Sequence, residues 1–174
     1  KYLGGYAEPE AVLGGELGAR FGPFGHGLTI PSHAEGTRLA ECLAAIPRGP
    51  RGAVFTVVVI NAPAGAPVAV QEANQQSLER IRRDYGQAEN LSSTASIFPH
   101  PAGALLIIDR TGEHPLPERQ GVGLARKIGA DILLTLAEAG RLDSPWIHCS
   151  DADATLPRDY FEQVENTTEP DTAA

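Results

Sequence analysis

A chain of 174 residues, 42% hydrophobic and 21% charged, can bury one ordinary core without disulfides or a structural metal. Its formal net charge of −8 lacks the basic footprint that nucleic-acid binding needs, so no nucleic-acid partner is expected. Cys42 and Cys149 have neither zinc-site nor disulfide-framework spacing, no apolar run approaches the ~18 residues that cross a bilayer, and KYLGGYAEPE has no signal-peptide pattern. A reduced, cytoplasmic setting without a transmembrane segment is the expectation.

Residues 9–21 carry Ala, Leu and Val at helical spacing and predict a short helix, broken by FGPFGHG. Leu28 to Ile30 read as a short buried strand that ends at Pro31. After PSHAEG, Leu39, Leu43 and Ile46 recur at three- and four-residue spacing and predict a helix over 37–46, closed by Pro47 and Gly49. Residues 53–61, AVFTVVVIN, are continuously apolar and β-branched, the pattern of a strand covered on both faces of a parallel sheet. A polar helix follows over 68–85.

SSTASIFPHPAG reads as loop with a short extended piece, and residues 104–109, ALLIID, as another buried strand. RTGEHPLPERQ is polar and proline-bearing, a loop. Residues 121–139 predict a long helix, with Leu124, Ile128, Ile132 and Leu136 at four-residue spacing and Gly140 as its C-cap. A turn at Asp143, Ser144 and Pro145 leads into strand-like WIHC, then the acidic turn DADA, then a helix after Pro157. The tail over 166–174 reads as disordered, leaving a core over 27–165 within a single domain spanning 1–174.

Strands alternating with helices predict βαβ units, hence a three-layer α/β/α, Rossmann-like, mostly parallel sheet. In such sheets ligands bind beyond the carboxyl ends of the strands. The distinctive polar residues fall at those ends: Ser32, His33 and Glu35, then Asn61, then Asp109, then Asp151 and Asp153. Two carboxylates one residue apart repel each other in a crevice. Mg²⁺ or Mn²⁺ relieves that repulsion, because it takes hard oxygen ligands and bridges carboxylates to phosphates. Asp151 and Asp153 are therefore the candidate metal ligands. A plainer reading is a helix-capping turn with solvated partners.

The run CSDADATLPRDYFEQV resembles the strand, D-A-D, proline, aromatic signature of inverting GT-A-fold glycosyltransferases, family-2-like, in their donor-binding N-terminal part. LTIPSHAEG is similar to that family's first-strand motif at Pro31 and Glu35, with His33 where an aromatic is usual. VVVINAPAG resembles the second strand, with Asn61 at the position that faces the nucleobase. QGVGLARKIGADI is similar to the helix that starts beside the nucleotide, matching at Gly121, Ala125, Arg126 and Gly129, with Lys127 replacing a commoner Asn.

The resemblance implies a metal-dependent transferase. It implies that Pro31, His33, Glu35, Asn61, Arg126, Lys127 and Asp151 contact a nucleotide-diphosphate sugar, and that Asp151 and Asp153 hold Mg²⁺ or Mn²⁺. The sugar would pass to an unknown acceptor hydroxyl on a glycan, lipid or small molecule. Homo-oligomerisation is left open. The family's general base lies in an acceptor-binding half that this length does not show, so the catalytic base is unassigned. Two alternatives stand beside this reading: a truncated or inactive donor-binding module, and a sugar-phosphate nucleotidyltransferase, against which the glycine-poor PSHAEG counts. A dehydrogenase is disfavoured because no G-x-G-x-x-G follows the first strand.

Plainer roles are weighed for single residues too: solvated helix surface for Arg126 and Lys127, a helix-start charge for Glu35, and a strand terminator for Asn61. Among the histidines, His33 is placed to touch a ligand. His26, His100 and His114 read as loop bystanders, and His148 as a core residue of its strand. Cys149 reads as small core filler, and Glu162 and Glu165 as surface.

Overall fold

The computed structural model describes residues 1–166; the tail predicted beyond them lies outside the described residues. A short 3₁₀ turn, Pro9–Ala11, leads into α1 (Val12–Arg20). Then come β1 (His26–Ser32), α2 (Thr37–Ala44), β2 (Val54–Asn61) and α3 (Val68–Tyr85). A two-residue β3 (Glu89–Asn90), β4 (Ala95–His100) and β5 (Gly103–Arg110) follow. The chain closes with α4 (Gly121–Glu138), β6 (Ile147–Cys149) and α5 (Tyr160–Asn166).

The six strands form one sheet in the order β3-β4-β5-β2-β1-β6. Its heart, β5-β2-β1-β6, is parallel, and β3 and β4 add an antiparallel margin. Every residue of β1 and β2 is buried, which is why their sequences run apolar instead of alternating. Leu28, Ile30, Val58, Ile60, Leu105 and Ile107 pack with Leu39, Leu43, Leu78, Ile81 and Phe161 of α2, α3 and α5. On the opposite face Phe55, Val57, Val59, Leu106 and Ile108 pack with Leu17, Ile128, Ile132 and Leu136 of α1 and α4. The result is a three-layer α/β fold with a mostly parallel, Rossmann-like sheet.

Strand order reverses around β1. The β1-to-β2 step runs one way, and α4 carries the chain back across β2 and β1 to place β6 on the other side. Such a switch opens a crevice at the carboxyl ends of the two diverging strands. Helix α4 lies close to the sheet because Gly129 has no side chain: a Cβ there would stand 1.9 Å from Thr29 Oγ1. Gly14 admits α1 against α4 in the same way, since its Cβ would fall 2.2 Å from the Ile132 carbonyl oxygen.

Several expectations need correction. Strand β1 starts earlier and runs through Pro31. The Ser150 amide donates to the Thr29 carbonyl, so odd-numbered residues of β1 bond toward β6. Because β6 pairs only as far as Thr29, the N–H that Pro31 lacks interrupts no ladder. The segment read as loop before β5 is instead the strand β4, whose Pro99 lies beyond the reach of the two-residue β3.

His26 is a fully buried member of β1, not a loop residue. His100 ends β4 and is buried, with Nε2 at 3.0 Å from the Leu43 carbonyl. Cys149 is exposed, so it fills no core. Glu165 is not simple surface, because it faces Arg51 and His26.

Candidate functional site

The carboxyl end of β1 is organised by a buried carboxamide from α3. Asn74 donates its Nδ2–H to the Asn61 carbonyl at 3.1 Å and accepts the Ala34 N–H on Oδ1 at 2.9 Å. That second bond holds Ala34 in the left-handed region, φ 59°, which a non-glycine residue seldom adopts. Ser77, one turn on, reaches the Gly36 carbonyl at 3.2 Å. The loop that presents His33 is thus tied to α3 at two points. The tie was not foreseen, since α3 reads as polar throughout; the signal lay in Asn74, Ser77, Leu78 and Ile81 sharing one face.

Asn61 closes the end of β2. Its side chain is buried and donates Nδ2–H to the Ser32 carbonyl at 2.9 Å, which staples β2 to β1. Its own carbonyl accepts the Nδ1–H of His33 at 3.0 Å. A carbonyl cannot donate, so this bond fixes Nδ1 as the protonated nitrogen and turns Nε2 outward as an acceptor in the neutral ring. The Asn61 carboxamide that sequence reading aimed at a nucleobase is therefore engaged in holding two strands together.

His33 and Asn61 line a cavity of about 590 Å³ with Pro63, Arg119, Gln120, Gly121, Val122 and Gly123. Its far wall is the start of α4, an 18-residue helix whose N-terminus has no side-chain cap. The free N–H groups and the helix dipole make that wall attractive to an anion. The loop before α4 is held against β2 by the Leu116 N–H bonding to the Ala62 carbonyl at 3.0 Å. Arg119, in the left-handed region at φ 69°, adds a cation to the rim. Arg119 and Gln120 were missed because their loop carries no periodic signal.

The acidic turn follows β6, beside β1. Ala152 is buried and anchors it, while Asp151 and Asp153 are exposed on either side. The Asp151 carboxylate is paired with the guanidinium of Arg126, which lies one helical turn beyond the cavity wall on α4. This contact holds the Arg126 proton more tightly, through the hydrogen bond first and the charge second. Asp153 faces the other flank, lining a small cavity of about 230 Å³ with Arg38, Glu41, Cys42, Ala154 and Thr155. Burial, reinforced by Asp153, pushes the Cys42 thiol up to about 11, so it stays protonated and unreactive.

Among the described residues no group of three or more His, Cys, Asp or Glu is assembled to hold a metal. The exposed carboxylate of Asp151 nonetheless fits Mg²⁺ or Mn²⁺, which use one or two carboxylates and complete their shell with phosphate and water, while Asp153 lines the other flank. Arg126 already stands on Asp151 as a cation, so the carboxylate is accessible to positive charge.

The remaining predicted residues are dispersed. Pro31 is buried within β1, and Glu35 is half-buried in the approach to α2. Lys127 turns away from the cleft: its Nζ bonds Glu8 at 2.8 Å, Asp131 at 2.9 Å and the Tyr6 carbonyl at 2.5 Å. It clasps the N-terminal segment onto α4, aided by Tyr2 Oη donating to Asp131 at 2.9 Å. Asp109 accepts from the N–H and hydroxyl of Thr111 and shapes its own loop. The structure therefore gathers His33, Asn61 and the α4 N-terminus around one cavity, with Arg126 and Asp151 one turn away. It sets Glu35, Lys127 and Asp153 apart from that cavity.

Comparison with protein-family models, with curated proteins and with solved structures finds no match to this chain.

Proposed function

We propose that this chain is the donor-binding part of a GT-A-type glycosyltransferase, taking a nucleotide-diphosphate sugar with Mg²⁺ or Mn²⁺. The observation that carries the reading is the meeting, at the strand-order switch, of an uncapped α4 N-terminus and a D-x-D turn bridged to the same helix by Arg126. Each device suits one part of a single ligand. The cavity beside His33 takes an uncharged moiety, the α4 N-terminus and Arg119 take phosphate, and Asp151, on the flank that faces α4, takes the cation that phosphate brings. A chain of net charge −8 needs such local positive features to accept a diphosphate.

When bound, the metal would neutralise charge on the departing diphosphate. The protein's own part is positional. Asn74 and Asn61 fix His33, the backbone amides of α4 receive phosphate oxygens, and Arg126 supplies an exposed cation one turn further along the helix.

Uridine, guanosine and cytidine diphosphates, each with and without Mn²⁺, should raise the thermal midpoint of the protein in a metal-dependent way. Asp151→Ala should remove the metal-dependent part. Equal stabilisation without metal and in the variant would sink the assignment.

A further inference from the structure

Arg126 and Lys127 are adjacent on α4 and both pair with carboxylates, but the two pairs differ in kind. Lys127 grips Asp131, whose side chain is 3% exposed, along with Glu8 and a backbone carbonyl. Breaking it would strand a buried charge, so the clasp is permanent. Arg126 grips Asp151, with side chains 43% and 59% exposed, and nothing encloses the pair. Exposed ion pairs are worth little and exchange readily. Arg126 also stands about one turn from the N-terminus of α4, whose first residues line the cavity where the donor-binding reading puts phosphate.

Resting on the donor-binding reading above, we propose that Arg126 is a partner-switching cation: it neutralises Asp151 in the free protein, yields that carboxylate to the arriving metal, and then takes a phosphate oxygen of the diphosphate. Metal and nucleotide thereby assist each other. The cation must displace the arginine, which weakens metal binding on its own. The displaced arginine gains a new anion, which strengthens nucleotide binding once metal is present. Arg126 is a positioning residue in this scheme and need not touch the reacting atoms.

The test is a Mn²⁺ titration followed by the electron paramagnetic resonance signal of the free ion, paired with calorimetric titration of uridine diphosphate at saturating Mn²⁺. Relative to wild type, Arg126→Gln should bind Mn²⁺ alone about two- to fivefold more tightly, because the competing surface ion pair is gone. The same variant should bind uridine diphosphate about tenfold more weakly, through loss of one charge-assisted hydrogen bond. Arg126→Lys should fall between wild type and Arg126→Gln on both measures, since it keeps the charge but loses the planar fork.

The two affinities moving in opposite directions is the signature of switching; a merely structural role would move both the same way. Unchanged or weaker Mn²⁺ binding in Arg126→Gln, with wild type binding both ligands, overturns this proposal and leaves the donor-binding reading intact. Failure of wild type to take Mn²⁺ and uridine, guanosine or cytidine diphosphate overturns both.

Discussion

At the residue scale, the cleft depends on a carboxamide that contacts no solvent. Asn74 holds the Asn61 carbonyl and the Ala34 amide together, and it is 1% exposed. Asn74→Ala leaves the Ala34 N–H without its acceptor, at an expected cost of about 1–3 kcal/mol, readable as a lower midpoint in urea. The same substitution should loosen residues 33–36 and speed amide exchange at Ala34 more than at Val58 in the core, whereas uniform exchange would refute the local role. The sequence exposes one half of this arrangement and hides the other. His33, Asn61, Asp151 and Asp153 stand out because they are polar residues at the ends of apolar runs. Asn74 sits in a helix where most neighbours are polar, so only the packing of α3 against α2 and the sheet distinguishes it. The pairing of Arg126 with Asp151 joins positions 25 apart, and no local spacing announces it.

At the scale of elements, α4 does two tasks: it covers β1 and β2, and it delivers its N-terminus to the rim. Gly129 sets the depth. Gly129→Ala improves helix propensity by about 1 kcal/mol, but its Cβ would meet Thr29 Oγ1 at 1.9 Å. Overpacking of that kind costs about 1–3 kcal/mol, so the variant should be less stable than wild type despite the better helix former. A stabilised variant would mean that helix and strand part without penalty. Helices α1, α2 and α4 were legible because each carries apolar residues at helical spacing, and α3, read as a polar helix, matches its predicted span. The parallel strands were legible by their unbroken apolar runs. Strand β4 was not: six residues with a proline and two polar side chains resemble a loop, and what makes them a strand is the antiparallel partner supplied by β5.

For the molecule as a whole, acid should act through a buried histidine pair. His26 and His148 face each other at 5.8 Å between ring centroids, with Phe161 of α5 packed on both. Burial, helped by the neighbouring His26, pushes His148 down to about 4. Burial also lowers His26, opposed by Glu165, with Arg51 lowering it further and Asp143 raising it. Both rings titrate near 6.5 when the chain unfolds. The unfolded state therefore binds protons that the folded state refuses, so stability is full above about pH 6.5 and declines as pH falls toward 4. Thermal midpoints measured between those limits should fall steadily, and His148→Phe should flatten the slope. An unchanged slope in that variant would assign the acid response to other groups. Helix α5 is the element this pair holds, and it directly follows the D-x-D turn, so acid should loosen the turn early. The composition showed enough apolar residues to bury a core, but it concealed this pair because His26 is flanked by glycines and reads as loop.

Pro31 has a further consequence. Beyond Thr29 the flank of β1 no longer pairs with β6, and an unpaired margin ordinarily offers amides to which a foreign chain can add itself. An incoming strand would look there for an amide to accept, and at Pro31 it finds a ring carbon. The margin beside the acidic turn is thereby closed to an added strand, so it does not seed aggregation.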